Sequence, residues 1–128
     1  MTTQFVVQLD NRPGSFAALT RALAERGVDL RSISGGGTGE HAYVVLTATD
    51  ADAARAVLRT SGYPFVEGAT IVVQVEGRPG GLAAVAEKLA AAGVDIRSVL
   101  FVGSAAGLVE TAIAVDDIER AREVLGID

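Results

Sequence analysis

The run Gln4-Phe5-Val6-Val7-Gln8-Leu9 is apolar and β-branched, and the turn-forming Asp10-Asn11-Arg12-Pro13-Gly14 follows it, so a strand entering a turn is predicted. The next apolar positions fall at helical spacing. Phe16, Leu19 and Leu23 recur at i, i+3 and i+7 with Ala22 beside them, and Gly27 is placed to end the helix in the left-handed conformation. Val28 to Ser34 reads as a second strand, Gly35-Gly36-Gly37-Thr38-Gly39 as a mobile hairpin connection, and Ala42 to Thr49 as a third strand. Asp50 caps a second helix from Ala51 to about Thr60, with Ala54, Val57 and Leu58 as its apolar stripe, and Gly62 and Pro64 stop it.

This order then repeats. NRPGSFAALTRALAERGVDLRS at 11 to 32 returns as GRPGGLAAVAEKLAAAGVDIRS at 77 to 98, and Val7-Gln8 matches Val73-Gln74, half a chain further on. The second copy predicts a strand over Thr70 to Val75, a helix to Ala92, a strand over Val94 to Val102, a connection over Gly103 to Gly107, and a strand over Leu108 to Val115. A helix capped by Asp116 or Asp117 follows, with Ile118, Ala121, Val124 and Leu125 on its apolar face. Between the copies, Pro64-Phe65-Val66-Glu67-Gly68 is a short extra strand that could join either sheet.

Each copy thus reads βαββα with an optional closing strand. The expected fold is α+β: two tandem ferredoxin-like βαββαβ units at 1 to 67 and 68 to 128, each an antiparallel sheet with helices on one face. The second lacks room for its own last strand. Gly-rich hairpin connections argue against a doubly wound parallel alternative.

Bulk composition narrows the function. The chain of 128 residues is 49% hydrophobic but only 5% aromatic, with 15 glycines, so cores of Val, Ala, Leu and Ile are expected. A unit of roughly 60 residues buries only about 60% of its unfolded surface, which favours shared interfaces and pairing of chains. A net charge of −5, with Lys88 the only lysine, argues against nucleic acid as a partner. The absence of cysteine excludes disulfides, thiolate metal sites and cysteine nucleophiles. No basic segment precedes an apolar run, and no run reaches the roughly 20 apolar residues of a membrane span, so a soluble cytoplasmic protein is expected.

The duplicated loop carries the most suggestive chemistry. Arg12-Pro13-Gly14 and Arg78-Pro79-Gly80 turn a strand into a helix, and the N–H groups of the first helical turn, at Gly14-Ser15-Phe16 and Gly80-Gly81-Leu82, suit a carboxylate. Asp29 and Asp95, just after the helix-ending glycines, suit an ammonium group. Together the two elements would grip both ends of a free α-amino acid within one unit. Charge-assisted hydrogen bonds of about 1.5–3 kcal/mol each would give micromolar to millimolar affinity. A plain Pro-Gly turn with a solvated aspartate is the structural alternative.

On these residues both copies resemble ACT domains: an x-Pro-Gly loop, a small-residue helix, and Gly-Val-Asp-(Leu/Ile) opening the second strand. The resemblance spans nearly the whole chain, and the paired arrangement resembles stand-alone tandem ACT proteins with no attached enzyme. It implies βαββαβ units paired side by side, an amino acid as effector, a homodimer, and a partner metabolic enzyme or regulator. It also implies that ligand sits where the first loop of one unit meets the second strand of a neighbour. By motif position, Asn11, Arg12, Pro13, Gly14 and Ser15 would line one site, closed by Asp29 and by Ser32, Ile33 and Ser34. Gly77, Arg78, Pro79, Gly80, Gly81 and Leu82 would line the other, closed by Asp95 and by Ser98, Val99 and Leu100. Phe16 and Leu82 are expected to face the core. Gly77 stands where the first copy has Asn11, which predicts sites of unequal occupancy.

Other chemistry is thinner. His41 has no second His or Cys with which to hold a metal, and Ser15 lacks a base, so neither a metal, a cofactor nor a catalytic residue is expected. Asp50, Asp52, Asp116 and Asp117 lie where helix dipoles favour acids. Three classes of function therefore compete: a regulatory amino-acid sensor, favoured; a ligand-free pairing module; and a small enzyme on a ferredoxin-like fold.

Overall fold

In the computed structural model, which describes residues 2–127, six strands and four helices form an α+β protein. They are β1 (Thr3–Asp10), α1 (Ser15–Glu25), β2 (Leu30–Thr38), β3 (His41–Ala48), α2 (Ala51–Thr60), β4 (Phe65–Glu76), α3 (Gly81–Ala91), β5 (Ile96–Ala105), β6 (Leu108–Val115) and α4 (Ile118–Leu125). The described residues divide into two compact units, 3–67 and 68–127, the latter joined by Thr2.

In the first unit β3 lies between β2 and β1 and is antiparallel to both, with Leu9 opposite Ala42 and Ile33 opposite Leu46. The opening residues of β4 lie beside β1, where the Gln8 N–H donates to the Pro64 carbonyl at 2.9 Å. Residues 64–67 therefore belong with the first unit, a point the sequence of the 64–68 segment left open, while Gly68 falls in the second. The segment is continuous with the strand expected from Thr70, so one 12-residue element replaces two. Phe5, Val7, Leu9, Val44 and Leu46 on the sheet meet Leu19 and Leu23 of α1 and Ala54, Val57 and Leu58 of α2 in one buried core. The helices cover one sheet face, as alternation in β1 requires.

In the second unit the order is β4-β6-β5, antiparallel, and Ile71, Val73, Val75, Ile113 and Val115 form a core with Leu89, Val94 and Ala121. After α4 no strand follows among the described residues; instead the Thr70 N–H donates to the Thr2 carbonyl at 2.8 Å. Asp50 and Asp117 cap α2 and α4, accepting from the Ala53 and Arg120 N–H groups, both at 3.0 Å.

Two expectations about the hairpins change. Gly35, Gly36 and Gly37 are not a mobile connection but the second half of β2, paired with Val44, Tyr43 and Ala42. Only Gly39 and Glu40 turn the chain, with Gly39 at φ 62°. Likewise β5 runs on to Ala105, and Ala106 and Gly107, both with positive φ, make the turn. Ladder hydrogen bonds along both strands outweigh the weak strand propensity of glycine.

Both units carry a bulge at the same place. The register shifts between Leu30 and Ser32, and between Ile96 and Ser98, leaving Arg31 and Arg97 as the extra residues. A second shift, between Phe101 and Gly103, occurs in β5 alone, so Val102 is an insertion absorbed as a bulge.

Candidate functional site

Where α1 begins beside the sheet edge, the first unit holds a cavity of about 360 Å³ lined by Leu9, Asn11, Phe16, Ile33, Ser34, Gly35, Gly36, Gly37, Ala42, Tyr43 and Val44. Its floor is β2 stripped of side chains. A Cβ at Gly35 would lie 2.5 Å from the Tyr43 carbonyl oxygen, and one at Gly37 would lie 2.7 Å from the Asn11 side-chain oxygen, so both positions demand glycine or movement of a neighbour. Phe16 forms a wall rather than part of the core: it is 51% exposed, against the expectation that it would turn inward. Leu19 and Leu23 already fill the α1 face of the core, and the helix start projects past it.

Asn11 is held at the cavity rim from two sides. Its N–H donates to the Glu40 carbonyl at 2.9 Å and its Nδ2 to the Gly39 carbonyl at 3.0 Å. Both bonds bind the loop after β1 to the β2–β3 turn. That leaves the Asn11 Oδ1 as the side-chain acceptor at the rim: Ser34 and Tyr43, which pair with Val45 and Gln8, carry their side chains on the sheet face away from the helices, and the lining contains no charged side chain.

Arg12 and Ser15 belong to a separate cleft of about 310 Å³, with Gln8, Asp10, Ala18 and the Ser61–Pro64 turn. It is the more polar of the two. Arg12 lies 3.8 Å from Asp10, an exposed pair, and Pro13 is exposed. Gly14 precedes α1 in the left-handed conformation, φ 93°, and α1 has no side-chain cap. Ser32 is turned to Thr47, hydroxyl to hydroxyl at 2.7 Å, outside the cavity lining.

Asp29 does not share a site with this loop. Its carbonyl accepts from the Thr49 N–H at 2.9 Å and its carboxylate from the Thr49 hydroxyl at 3.2 Å, which fixes it past the Ala48 end of β3. The loop after β1 lies at the His41 end, where Asp10 pairs. Eight residues of strand separate them, about 26 Å at ~3.3 Å per residue. A clamp made of the loop and Asp29 of one unit, gripping both ends of an amino acid, is excluded by the register.

In the second unit the Gly77 N–H donates to the Gly107 carbonyl at 2.8 Å, the counterpart of the Asn11 bond without the side chain. Arg78 pairs with Glu76, Pro79 is exposed, and Gly80 repeats the left-handed conformation at φ 89°. Gly81 is buried, with the Glu76 carbonyl oxygen so close that a Cβ would lie 2.1 Å from it. Leu82 packs against the core. The Asp95 N–H donates to Asp116 at 2.9 Å, and the Asp116 N–H to the Asp95 carbonyl at 3.1 Å, again at the far end of the sheet from the loop. Ser98 is buried, Leu100 half-buried and Val99 exposed. His41 is exposed and its Nδ1 accepts from Gln8 Nε2 at 3.2 Å.

Sequence reasoning thus named Asn11, Ile33 and Ser34 of the cavity but missed its glycine floor and the Leu9, Phe16, Ala42, Tyr43 and Val44 walls. A signal was available in the repeat itself, where Gly35 aligns with Phe101.

One strong ion pair stands apart from the cavity. Arg55 of α2 donates from Nε and Nη2 to the two Glu67 oxygens, both at 2.7 Å, and from Nη1 to Asp52 at 2.7 Å. Its guanidinium carbon lies 5.7 Å from the Phe5 ring centroid. The hydrogen bonds from Arg55 hold the Glu67 carboxyl below its ordinary range, and those to Glu67 and Asp52 raise the Arg55 pKa further above neutrality. The pair fastens α2 to the start of β4.

Strands in the order β2-β3-β1-β4 with two helices on one face make the first unit an α+β sandwich of split βαβ type. Residues 3–60, most of the first unit, match the family model of the ACT domain. No curated protein matches the sequence. Among solved structures, protein BT0572 from Bacteroides thetaiotaomicron is similar at 21% identity and a TM-score of 0.68, over 98% of this chain and 88% of that one. The regulatory subunit of aspartate kinase from Thermus flavus is similar at 20% identity and a TM-score of 0.67, over 98% and 90%. That from Thermus thermophilus, in a ligand-free form, gives 18% and 0.62, over 98% and 91%. These likenesses extend the shared fold across both units.

Proposed function

We propose that this protein is a cytoplasmic regulatory protein that binds a free amino acid and passes its occupancy to a partner enzyme or regulator. The observation that carries this reading is the cavity at the start of α1, whose volume of about 360 Å³ lies at the small-ligand end of the usual range of roughly 300–1,000 Å³. Its few polar groups surrounded by apolar walls are what orientation of a small amphipathic ligand needs. The ACT-domain match and the regulatory-subunit fold support a regulatory role over a catalytic one. The residues assigned to the site are Asn11, Phe16, Ile33 and the backbone floor from Ser34 to Gly37. Asp29 and Asp95 enter a site only if a neighbouring unit presents them.

Thermal-shift measurement against the twenty amino acids tests the reading. Selective stabilisation by one or a few is expected, because ligand at about 100 times its Kd adds about 2.7 kcal/mol. Uniform absence of stabilisation favours the ligand-free pairing module instead. The exposed Phe101, Val102 and Val99 of β5 are the observation on that side, and they are the first surface to test in a homodimer.

A further inference from the structure

The two units differ most at the place where the first has its cavity. β3 and β6 run in step, Val44 matching Thr111, and both face the helices: Val44 is part of the first core, and Thr111 is fully buried two residues before Ile113. Gly35 pairs with Val44, and Phe101 pairs with Thr111. Paired residues point to the same sheet face, so Phe101 stands on the helix-bearing face where the first unit has bare backbone. Beyond it, the bulged Val102 and then Gly103 and Ser104 replace Gly36 and Gly37. Two further differences act in the same direction. Leu82 is drawn onto the second core, whereas its counterpart Phe16 stands off the first core as a cavity wall. Gly77 supplies no side chain where Asn11 brings an amide to the rim.

We infer that the first unit alone receives ligand, that this ligand is an α-amino acid with an apolar side chain, and that Phe101 is the residue that disqualifies the second unit. The inference rests on the regulatory reading above. Leu9, Phe16, Ile33 and Val44 offer an apolar side chain a surface from which water is readily displaced, while an aspartate or lysine side chain entering the same space loses hydration and finds no opposite charge. Asn11, whose Oδ1 is left over at the rim, supplies the side-chain polar contact that orients the ligand's main-chain end.

The test is a backbone amide NMR titration of the full chain with L-leucine, L-valine, L-methionine and L-phenylalanine, using L-aspartate and L-lysine as charged controls. At least one apolar amino acid is expected to move the Asn11 and Gly35 to Gly37 signals while Gly77 and Phe101 to Ser104 stay fixed. Gly37→Val, whose side chain displaces the Asn11 amide, is expected to weaken binding ~10-fold or more, equivalent to ~1.4 kcal/mol. Phe101→Ala is expected to leave that affinity unchanged. Response of both sets of signals, of the second set alone, or of the first set to the charged controls in preference overturns the inference and leaves the regulatory reading standing. Failure of all six amino acids to move any signal overturns the inference, and the regulatory reading falls with it when the thermal-shift screen of all twenty is silent as well.

Discussion

Single residues decide how the first unit is fastened and how the helix starts are seated. Arg55 is the clearest case, since its planar fork meets both Glu67 oxygens and its face lies near Phe5, which also meets Phe65 edge-on with ring centroids 5.9 Å apart. Glu67→Gln is expected to lower stability by about 1–2 kcal/mol near neutral pH, less than a buried pair would cost because Glu67 is partly exposed. The pH dependence follows from the lowered carboxyl pKa. The stabilisation is complete above the ordinary value of 4.5 and is lost as pH falls through the lower folded-state value, so the difference between wild type and Glu67→Gln in thermal melts should shrink on acidification below pH 4.5. A constant difference down to pH 2 would contradict this. At Gly81 a side chain meets the Glu76 carbonyl, and Gly81→Ala is expected to cost about 1–3 kcal/mol in chemical denaturation. Gly14→Asp meets no neighbour, yet its φ of 93° adds about 1–2 kcal/mol of backbone strain, so the variant should fold with reduced stability. The Asp caps and helix-ending glycines were legible in the sequence because they act locally. Arg55 was not, because its partner is fixed only once β4 is seated beside β1.

At the scale of elements, the repeat predicted the order of strands and helices well and their ends poorly. Helix α2 matches its predicted span because Asp50 caps it and Gly62 ends it within the local sequence. Strands β2 and β5 extend past their predicted ends because pairing with β3 and β6 continues through glycine, which composition alone reads as a loop. Val102 is the bulged residue that lets β5 keep the register of its neighbour despite one extra position. Deleting Val102 should restore a ladder like that of β2 and leave cooperative unfolding intact, with a melting temperature within ~4–8 °C of wild type, about 1 kcal/mol. Loss of strand signal by circular dichroism would show that the bulge is required rather than tolerated. The same glycines that disguised β2 as a loop form the cavity floor, which is why the sequence pointed to the rim at Asn11 and to Ile33 and Ser34 but not to the space between them.

For the whole molecule, duplication has produced two units with one pattern of secondary structure and different surfaces. No helix among the described residues is long and apolar enough to cross a membrane. The first unit keeps Asn11, Phe16 and Gly35 around an opening; the second has Gly77, Leu82 and Phe101 at the matching positions. The loop and the aspartate that invited a clamp within each unit lie at opposite ends of their sheets, an outcome set by strand register, which spacing in the sequence does not convey. The most direct measurement is calorimetric titration of the full chain with the amino acid that stabilises it most. One ligand bound per chain, with binding weakened by Gly37→Val and retained in Phe101→Ala, is the expected result. Two equivalent sites per chain, or heat that survives unchanged in Gly37→Val, would contradict the assignment of the first unit as the receptor.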